Sequence, residues 1–160
     1  MQRAMRRKDR EIQDINEKLT LLKKCKVCRL GLCEHKVPYI VPLNFGYSFM
    51  HTVLTLYFHS APEGKKIDML RANPNACFEI DAEHELVRHE NACNYSFRYA
   101  SLIGSGTVSF IDDPEEKRHA LNALMQHQTG EAKSFDFKDE EIACVLVFKL
   151  TVSEFSGKRR

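Results

Sequence analysis

Ser60, Gly64, Lys65 and Lys66 fall together in YFHSAPEGKKIDMLRANP, residues 57–74. An apolar strand pattern stops at His59-Ser60, and a helical pattern begins a few residues later. The two lysines therefore sit in a first helical turn, where the backbone already carries partial positive charge and cations are mildly unfavourable. A bound phosphate group would make the placement favourable, because the N–H groups of a helix start point outward at an anion. Lys65 and Lys66 would add compact charge, Gly64 would let the backbone come close, and Ser60 could donate its hydroxyl hydrogen. The strand end at Phe58 and His59 would border the same site. The spacing is not that of a Walker phosphate loop, since G-x-x-x-x-G-K-[ST] is absent. A solvated lysine face, offset by Glu63 and Asp68, is the plain alternative.

Several elements must position these residues. Asp9 could cap a first helix over about 9–23, with Ile12, Ile15, Leu19 and Leu22 at helical spacing. CKVCRLGL, PYIVPLNFGY and TVLTLYFH read as strands, with Pro38 and Pro42 marking an edge or bulge, and Gly46-Tyr47-Ser48 as a hairpin loop. Ser60 and Glu63 fit a capping box, Ile67 and Leu70 give the following helix an apolar side, and Asn73 before Pro74 ends it. NACFEID is a fourth strand, residues 83–91 a polar loop, and YSFRYASLIGSGTVSFI a fifth strand bent at Gly104 or Gly106. Asp113-Pro114-Glu115-Glu116 starts a helix whose buried side is Ala120, Leu121, Leu124 and Met125, and Gly130 ends it. IACVLVFKLTVSEFSGK is a last long strand. Six strands with helices between them predict a mainly β antiparallel barrel in a single domain, residues 1–160.

Net charge is +2, too small to point to nucleic acid. The basic residues Arg3, Arg6, Arg7, Lys8 and Arg10, and Lys158, Arg159 and Arg160, read as solvated, partly mobile ends. No apolar run approaches a membrane span and no secretory pattern is present, so a cytoplasmic location is expected. There, six cysteines are expected as thiols. Cys25, Cys28, Cys33 and His35 form C-x2-C-x4-C-x-H, which invites a zinc reading. No second CxxC pair exists, and strand alternation turns the thiols to different faces, so no metal site is assigned. Cys77 and Cys144 lie in apolar runs and read as core residues; Cys93 has no assignment.

The run of MRRKDREI (5–12), VPYIVPLNFGY, LYFHSAPEGKKIDMLRANPNACFEID and YSFRYASLIGSG resembles the nitroimidazole-resistance family. That family belongs to the pyridoxamine 5′-phosphate oxidase-like flavin-binding split barrels, and the likeness spans roughly residues 5–158. The resemblance implies a six-stranded antiparallel split β-barrel, a homodimer, and flavin mononucleotide (FMN) at the subunit interface. It implies that Lys65 and Lys66 hold the flavin phosphate and that Phe58, His59 and Ser60 pass beside the cofactor. It places Tyr39, Ile40, Val41, Pro42, Leu43 and Asn44 along the isoalloxazine ring, and Ser101 as a polar contact from the next subunit. Lysine stands where the oxidase typically has arginine at the first basic position, which loses a bidentate fork. An arginine-rich C-terminal segment that helps hold pyridoxal phosphate is missing. Both departures argue against oxidation of vitamin B6.

The resemblance thus implies a flavin-dependent oxidoreductase. Reduced nicotinamide, NAD(P)H, would supply electrons and a small nitroaromatic or nitroimidazole-type compound would accept them. His59 could donate a proton, and Phe45 and Tyr47 could shape the acceptor pocket or serve only as core. FAD in place of FMN stays open, as do a non-enzymatic flavin-binding protein and a haem-binding barrel. No nucleic acid and no membrane is expected as a partner.

Overall fold

Apolar residues alternate along the chain with a period of two, and the strands they form are long. The computed structural model describes residues 5–160, which leaves Arg3 of the N-terminal basic group outside the described residues. The elements are β1 (Glu11–Ile12), α1 (Ile15–Lys24), β2 (Val27–Glu34), β3 (Val37–Asn44), β4 (Gly46–Met50), β5 (Val53–Ser60) and α2 (Lys65–Ala72). Then follow β6 (Asn75–Val87), β7 (Ser96–Ile111), α3 (Pro114–Thr129), α4 (Asp139–Cys144) and β8 (Leu146–Arg159). Eight strands form one antiparallel sheet in the order β3-β2-β6-β7-β8-β5-β4, with β1 paired to β8. The fold is a mainly β split barrel with flanking helices, of eight strands and unclosed, where six were expected.

The extra strands have identifiable causes. PYIVPLNFGY does not end in a hairpin loop. Its backbone breaks at Phe45, so β3 pairs with β2 while β4 pairs with β5. The hairpin turn lies further on, at His51-Thr52, where φ is 49° and 67°. His35-Lys36 makes the same two-residue left-handed turn between β2 and β3, with φ of 48° and 67°. The start of the chain also differs from expectation. Asp14, not Asp9, caps α1 by accepting from the Asn16 N–H at 3.0 Å. Asp9 pairs with Arg7, and Ile12 lies in β1 rather than on a helix. β1 in turn covers the end of β8, so Lys158 and Arg159 stand in a paired strand and are not a mobile tail.

Two further boundaries moved. β6 runs on to Val87 through a bulge at Glu83, with φ of 62°, where a polar loop was expected. Ile142 and Cys144 belong to α4, not to the last strand. The bend in β7 falls where glycine predicts it. Register shifts between Ser105 and Gly106, and a Cβ on Gly106 would lie 2.1 Å from the Thr151 carbonyl oxygen. Asp113 caps α3 by accepting from the Glu115 N–H, and Gly130 ends it in the left-handed region, as expected.

The barrel interior is filled by Phe45, Phe58, Phe78 and Phe148 with leucines and isoleucines from every long strand. Phe58 and Phe148 stack at 5.2 Å. A smaller apolar layer, including Tyr57, Leu121, Ile142 and Val147, packs α3 and α4 on the outside of the sheet. α3 lies so close to β4 that a Cβ on Gly46 would meet the backbone of Ala123 and Leu124 at 2.3–2.5 Å. The Gln128 amide, one residue from the end of α3, donates to the carbonyls of Phe45 (2.9 Å) and Lys26 (3.1 Å). The Gly46→Ala variant is expected to lose about 1–3 kcal/mol of stability, because the helix backbone cannot yield as a side chain can. Thermal denaturation of wild type and variant checks this, and equal Tm values would show that α3 does not press on β4.

Candidate functional site

The outer face of the sheet holds a groove of about 780 Å³, floored by β2, β3, β6 and β7. Register fixes its floor. One row across the strands is Ile40, Gly31, Cys77 and Ser105; the next is Pro42, Arg29, Glu79 and Ile103. The trough exists because Gly31 has no side chain: a Cβ there would lie 2.6 Å from the Cys77 sulfur. Ile40 is 66% exposed and Ile103 54%, so the walls offer apolar surface to solvent.

The two ends of the groove differ in charge. At one end Asn73 accepts from both the backbone and side-chain N–H of Asn75, at 3.1 and 3.0 Å, and donates to the Cys33 carbonyl at 3.3 Å. At the other, the Arg29 guanidinium bridges Glu79 at 3.1 Å and Asp81, and Asp81 also contacts His84 Nε2 at 2.7 Å. Desolvation and the neighbouring Asp81 push the Glu79 carboxyl upward, against the pull of Arg29.

Of the residues singled out in the sequence, Tyr39 and Ile40 border this groove. Alternation splits the rest of β3. Ile40, Pro42 and Asn44 are exposed, whereas Tyr39, Val41 and Leu43 turn inward and pack against the core. Lys65 opens α2, and its Nζ lies 4.6 Å from the centre of the Tyr39 ring. Strand β3 and the helix start, twenty-odd residues apart in the chain, thus meet on the inward face of β3, behind the Ile40 that it presents to the groove; Lys65 and Lys66 do not line the groove itself. Lys66 is half-buried beside it on the same first turn.

The expected capping box is not formed. Gly64, with φ of 124°, holds the cap position of α2, and no side chain caps the helix. The chain bends at Pro62 and again at Gly64, and the helix begins only at Lys65. Ser60 is left buried with its hydroxyl lacking a hydrogen-bond partner. Phe58 points into the barrel and is fully buried. His59 faces the other way, is exposed, and lines a separate cavity of about 250 Å³ with Leu121, Phe137 and Glu141. Ser101 shares the outward face of Ile103 and Ser105 but lies opposite Asp81, beyond the end of the groove. Phe45 is buried, and Tyr47 lies under α3.

Sequence reading passed over Arg29, Gly31, Glu79 and Ile103. For Arg29 and Gly31 the signal was the alternation of β2, where Cys28, Leu30 and Leu32 are buried and the residues between them are not. Cysteine placement also needed correction: Cys77 and Cys144 are exposed, not core, because Cys77 lies on the outward face of β6 and Cys144 ends α4. Cys28 is buried and Cys33 exposed, so their thiols do not converge. Among the described residues, no group of three or more His, Cys, Asp and Glu is arranged to hold a metal. Nor is any described helix long and apolar enough to cross a membrane.

The family described as pyridoxamine 5′-phosphate oxidase matches residues 14–159. The chain belongs to that family. A solved structure from Bacteroides thetaiotaomicron, provisionally assigned as a 5-nitroimidazole antibiotic resistance protein, is 38% identical, with 93% of this chain and 86% of that one aligned at a TM-score of 0.80. A FAD- and haem-binding protein from Mycobacterium smegmatis aligns at a TM-score of 0.78 with 22% identity, over 94% of this chain and 73% of its own. A flavocytochrome from Azotobacter vinelandii aligns at 0.78 with 19% identity, over 98% and 72%. These last two share the fold. Comparison with curated proteins returned no match.

Burial by the core and the nearby acids Asp81 and Glu79 raise the Cys25 thiol to about 11, and burial raises Cys28 to about 12. Neither forms thiolate at pH 8. A thiol reagent applied to native protein at that pH is expected to modify Cys33, Cys77, Cys93 and Cys144, and to reach Cys25 and Cys28 only after unfolding. Peptide mapping checks this; rapid native modification of Cys28 would place it outside the core.

Proposed function

We propose that this protein binds a flavin nucleotide along the groove border and uses it to pass electrons from NAD(P)H to a small acceptor. The observation that carries the proposal is the meeting of Lys65 with the inward-facing ring of Tyr39, on the strand whose outward face gives Ile40 to the groove. It joins a helix start, two cations and an apolar-walled cleft whose volume suits a small-molecule ligand. The residues fit a phosphorylated group. Lys65 and Lys66 would hold its dianion with the first N–H groups of α2, and Gly64 leaves the backbone open, with nothing within 4 Å of where its Cβ would stand. The buried, unpartnered Ser60 hydroxyl is a donor still to be used.

Bound flavin supplies hydride and electron-transfer chemistry. The chain's own contribution is to anchor the phosphate, to line the cleft with Ile40 and Ile103, and to exclude water from it. Family membership and the 38% identical relative favour a nitroaromatic or nitroimidazole-type acceptor. The exposed apolar walls suit a second copy of the chain, giving a cytoplasmic homodimer with FMN or FAD between subunits. Ser101, on the same outward face, would then approach the partner's cofactor.

Mass spectrometry of the small molecule released on denaturation tests the reading directly: FMN or FAD is expected, and haem or no cofactor overturns it. The Lys65→Ala/Lys66→Ala variant is expected to keep its fold and lose at least about tenfold in cofactor affinity, as two charge-assisted contacts are removed. Unchanged cofactor content would remove both lysines from the site. His59 is assigned as proton donor on the resemblance alone. His59→Asn should then retain flavin while acceptor reduction falls at least about tenfold, and undiminished turnover excludes the role.

A further inference from the structure

Two thiols share the floor of the groove. Cys33 and Cys77 both line it, and both are exposed. Cys77 lies opposite Gly31 of β2, and Cys33 is two residues further along β2 on the same outward face. The Asn73 side chain donates to the Cys33 carbonyl at 3.3 Å, which holds β2 against the start of β6 at this point. Continuing the register puts Asn75 across from Cys33. The two cysteines are therefore diagonal neighbours across an antiparallel pair.

Glycine gives this placement its chemistry. Of the four outward positions Gly31, Cys33, Asn75 and Cys77, the one beside both thiols on β2 carries no side chain. Cys77 leans into that space: its sulfur lies 2.6 Å from where a Gly31 Cβ would stand. Its hydrogen-bond contact there is a weak one, 3.7 Å from the Gly31 carbonyl oxygen.

Distance decides what could join the two sulfurs. Diagonal neighbours have Cα atoms about 7–8 Å apart. A disulfide spans only about 4.4–6.8 Å between Cα atoms. An ion held in line by two thiolates separates its sulfurs by about 4.6 Å, twice a metal–thiolate bond of about 2.3 Å. That longer span suits the diagonal, where a direct S–S bond would require the strands to move.

The surroundings favour a soft ion. The groove's carboxylate Glu79 and its neighbour Asp81 stand at the other end, tied to Arg29. Near the thiols are Pro38, Ile40, Asn73 and Asn75. Asn75 Nδ2 gives one hydrogen to Asn73 and keeps a second, which could reach a thiolate. Among the described residues no third ligand is arranged to complete a tetrahedral set, which disfavours zinc. Two thiolates alone satisfy a soft d¹⁰ ion such as Cu(I).

We propose that Cys33 and Cys77 form a two-coordinate site for a soft monovalent cation of the Cu(I) type. On binding, each thiol gives its proton to solvent, and the ion keeps its oxidation state. The site rests on the two thiols and not on the flavin reading, because Lys65 and Lys66 do not line the groove.

The probe is Cu(I), titrated without oxygen into the purified protein, its thiols reduced, against a coloured Cu(I) chelator. One ion per chain is expected, with X-ray absorption showing two sulfur neighbours and no nitrogen or oxygen ligand. Cys33→Ser and Cys77→Ser should each weaken binding at least about tenfold, since a hydroxyl is a poor ligand for a soft ion. The Cys93→Ser/Cys144→Ser variant should bind as the wild type. So should Lys65→Ala/Lys66→Ala, whose loss of flavin is then read separately from this site. Failure to compete with the chelator, wild-type affinity in either single serine variant, a shell of three or more ligands, or loss of binding in either double variant overturns the assignment.

Discussion

The break at Phe45 is the constraint on which the rest of the architecture depends. A continuous extended run from Val37 to Met50 is paired on one side of the barrel before Phe45 and on the other after it. Phe45 is buried at the crossing, and its carbonyl accepts from Gln128 on α3. The same amide binds the Lys26 carbonyl at the start of the barrel wall, and Asn44 donates to both Lys26 and Gln128. Gly46 removes the side chain that would keep α3 away. A short polar clasp and one missing Cβ therefore hold two sheet edges and a helix in register. The groove draws a wall from this run, since β3 gives it Ile40.

The groove shows how a sheet makes a cleft without a loop. Pleating sends Arg29, Gly31 and Cys33 outward on β2, and Cys77 and Glu79 outward on β6. With hydrogen in place of a side chain at Gly31, the surface dips, and Cys77 fills only part of the dip. The dip is neutral and amide-lined at Asn73 and Asn75, and charged at Arg29, Glu79 and Asp81. A ligand lying in it would meet a polarity gradient along the strands.

Much of this was legible beforehand. The helix from Pro114 to Gly130 followed from its cap, its proline and its closing glycine, all local signals. The bend at Gly106 and the strand character of β5 followed from residue type. The errors arose where tertiary contact overrules local signal. Gly46 reads as a turn residue, yet it serves close packing on a helix that lies seventy-odd residues away in the chain. Cys77 sits in an apolar run but on the outward face, a distinction that depends on register. Of the candidate site, the Lys65 neighbourhood could be read from helix-start chemistry. Its meeting with Tyr39, and the offset of His59 into another cavity, required the fold. The diagonal of Cys33 and Cys77 gave no signal at all, because it is set by the register between β2 and β6.

The two hairpin turns have a kinetic consequence. His35-Lys36 and His51-Thr52 adopt left-handed backbone that these residue types resist, where Asn-Gly would adopt it readily. Neither turn is preorganised, so neither hairpin is a natural seed. The barrel must instead wait for β5 to find β8, and β1 to find the far end of the chain, which are encounters between distant segments. Such a chain is expected to fold slowly for its size, limited by the search for long-range pairs rather than by the closing of its bends.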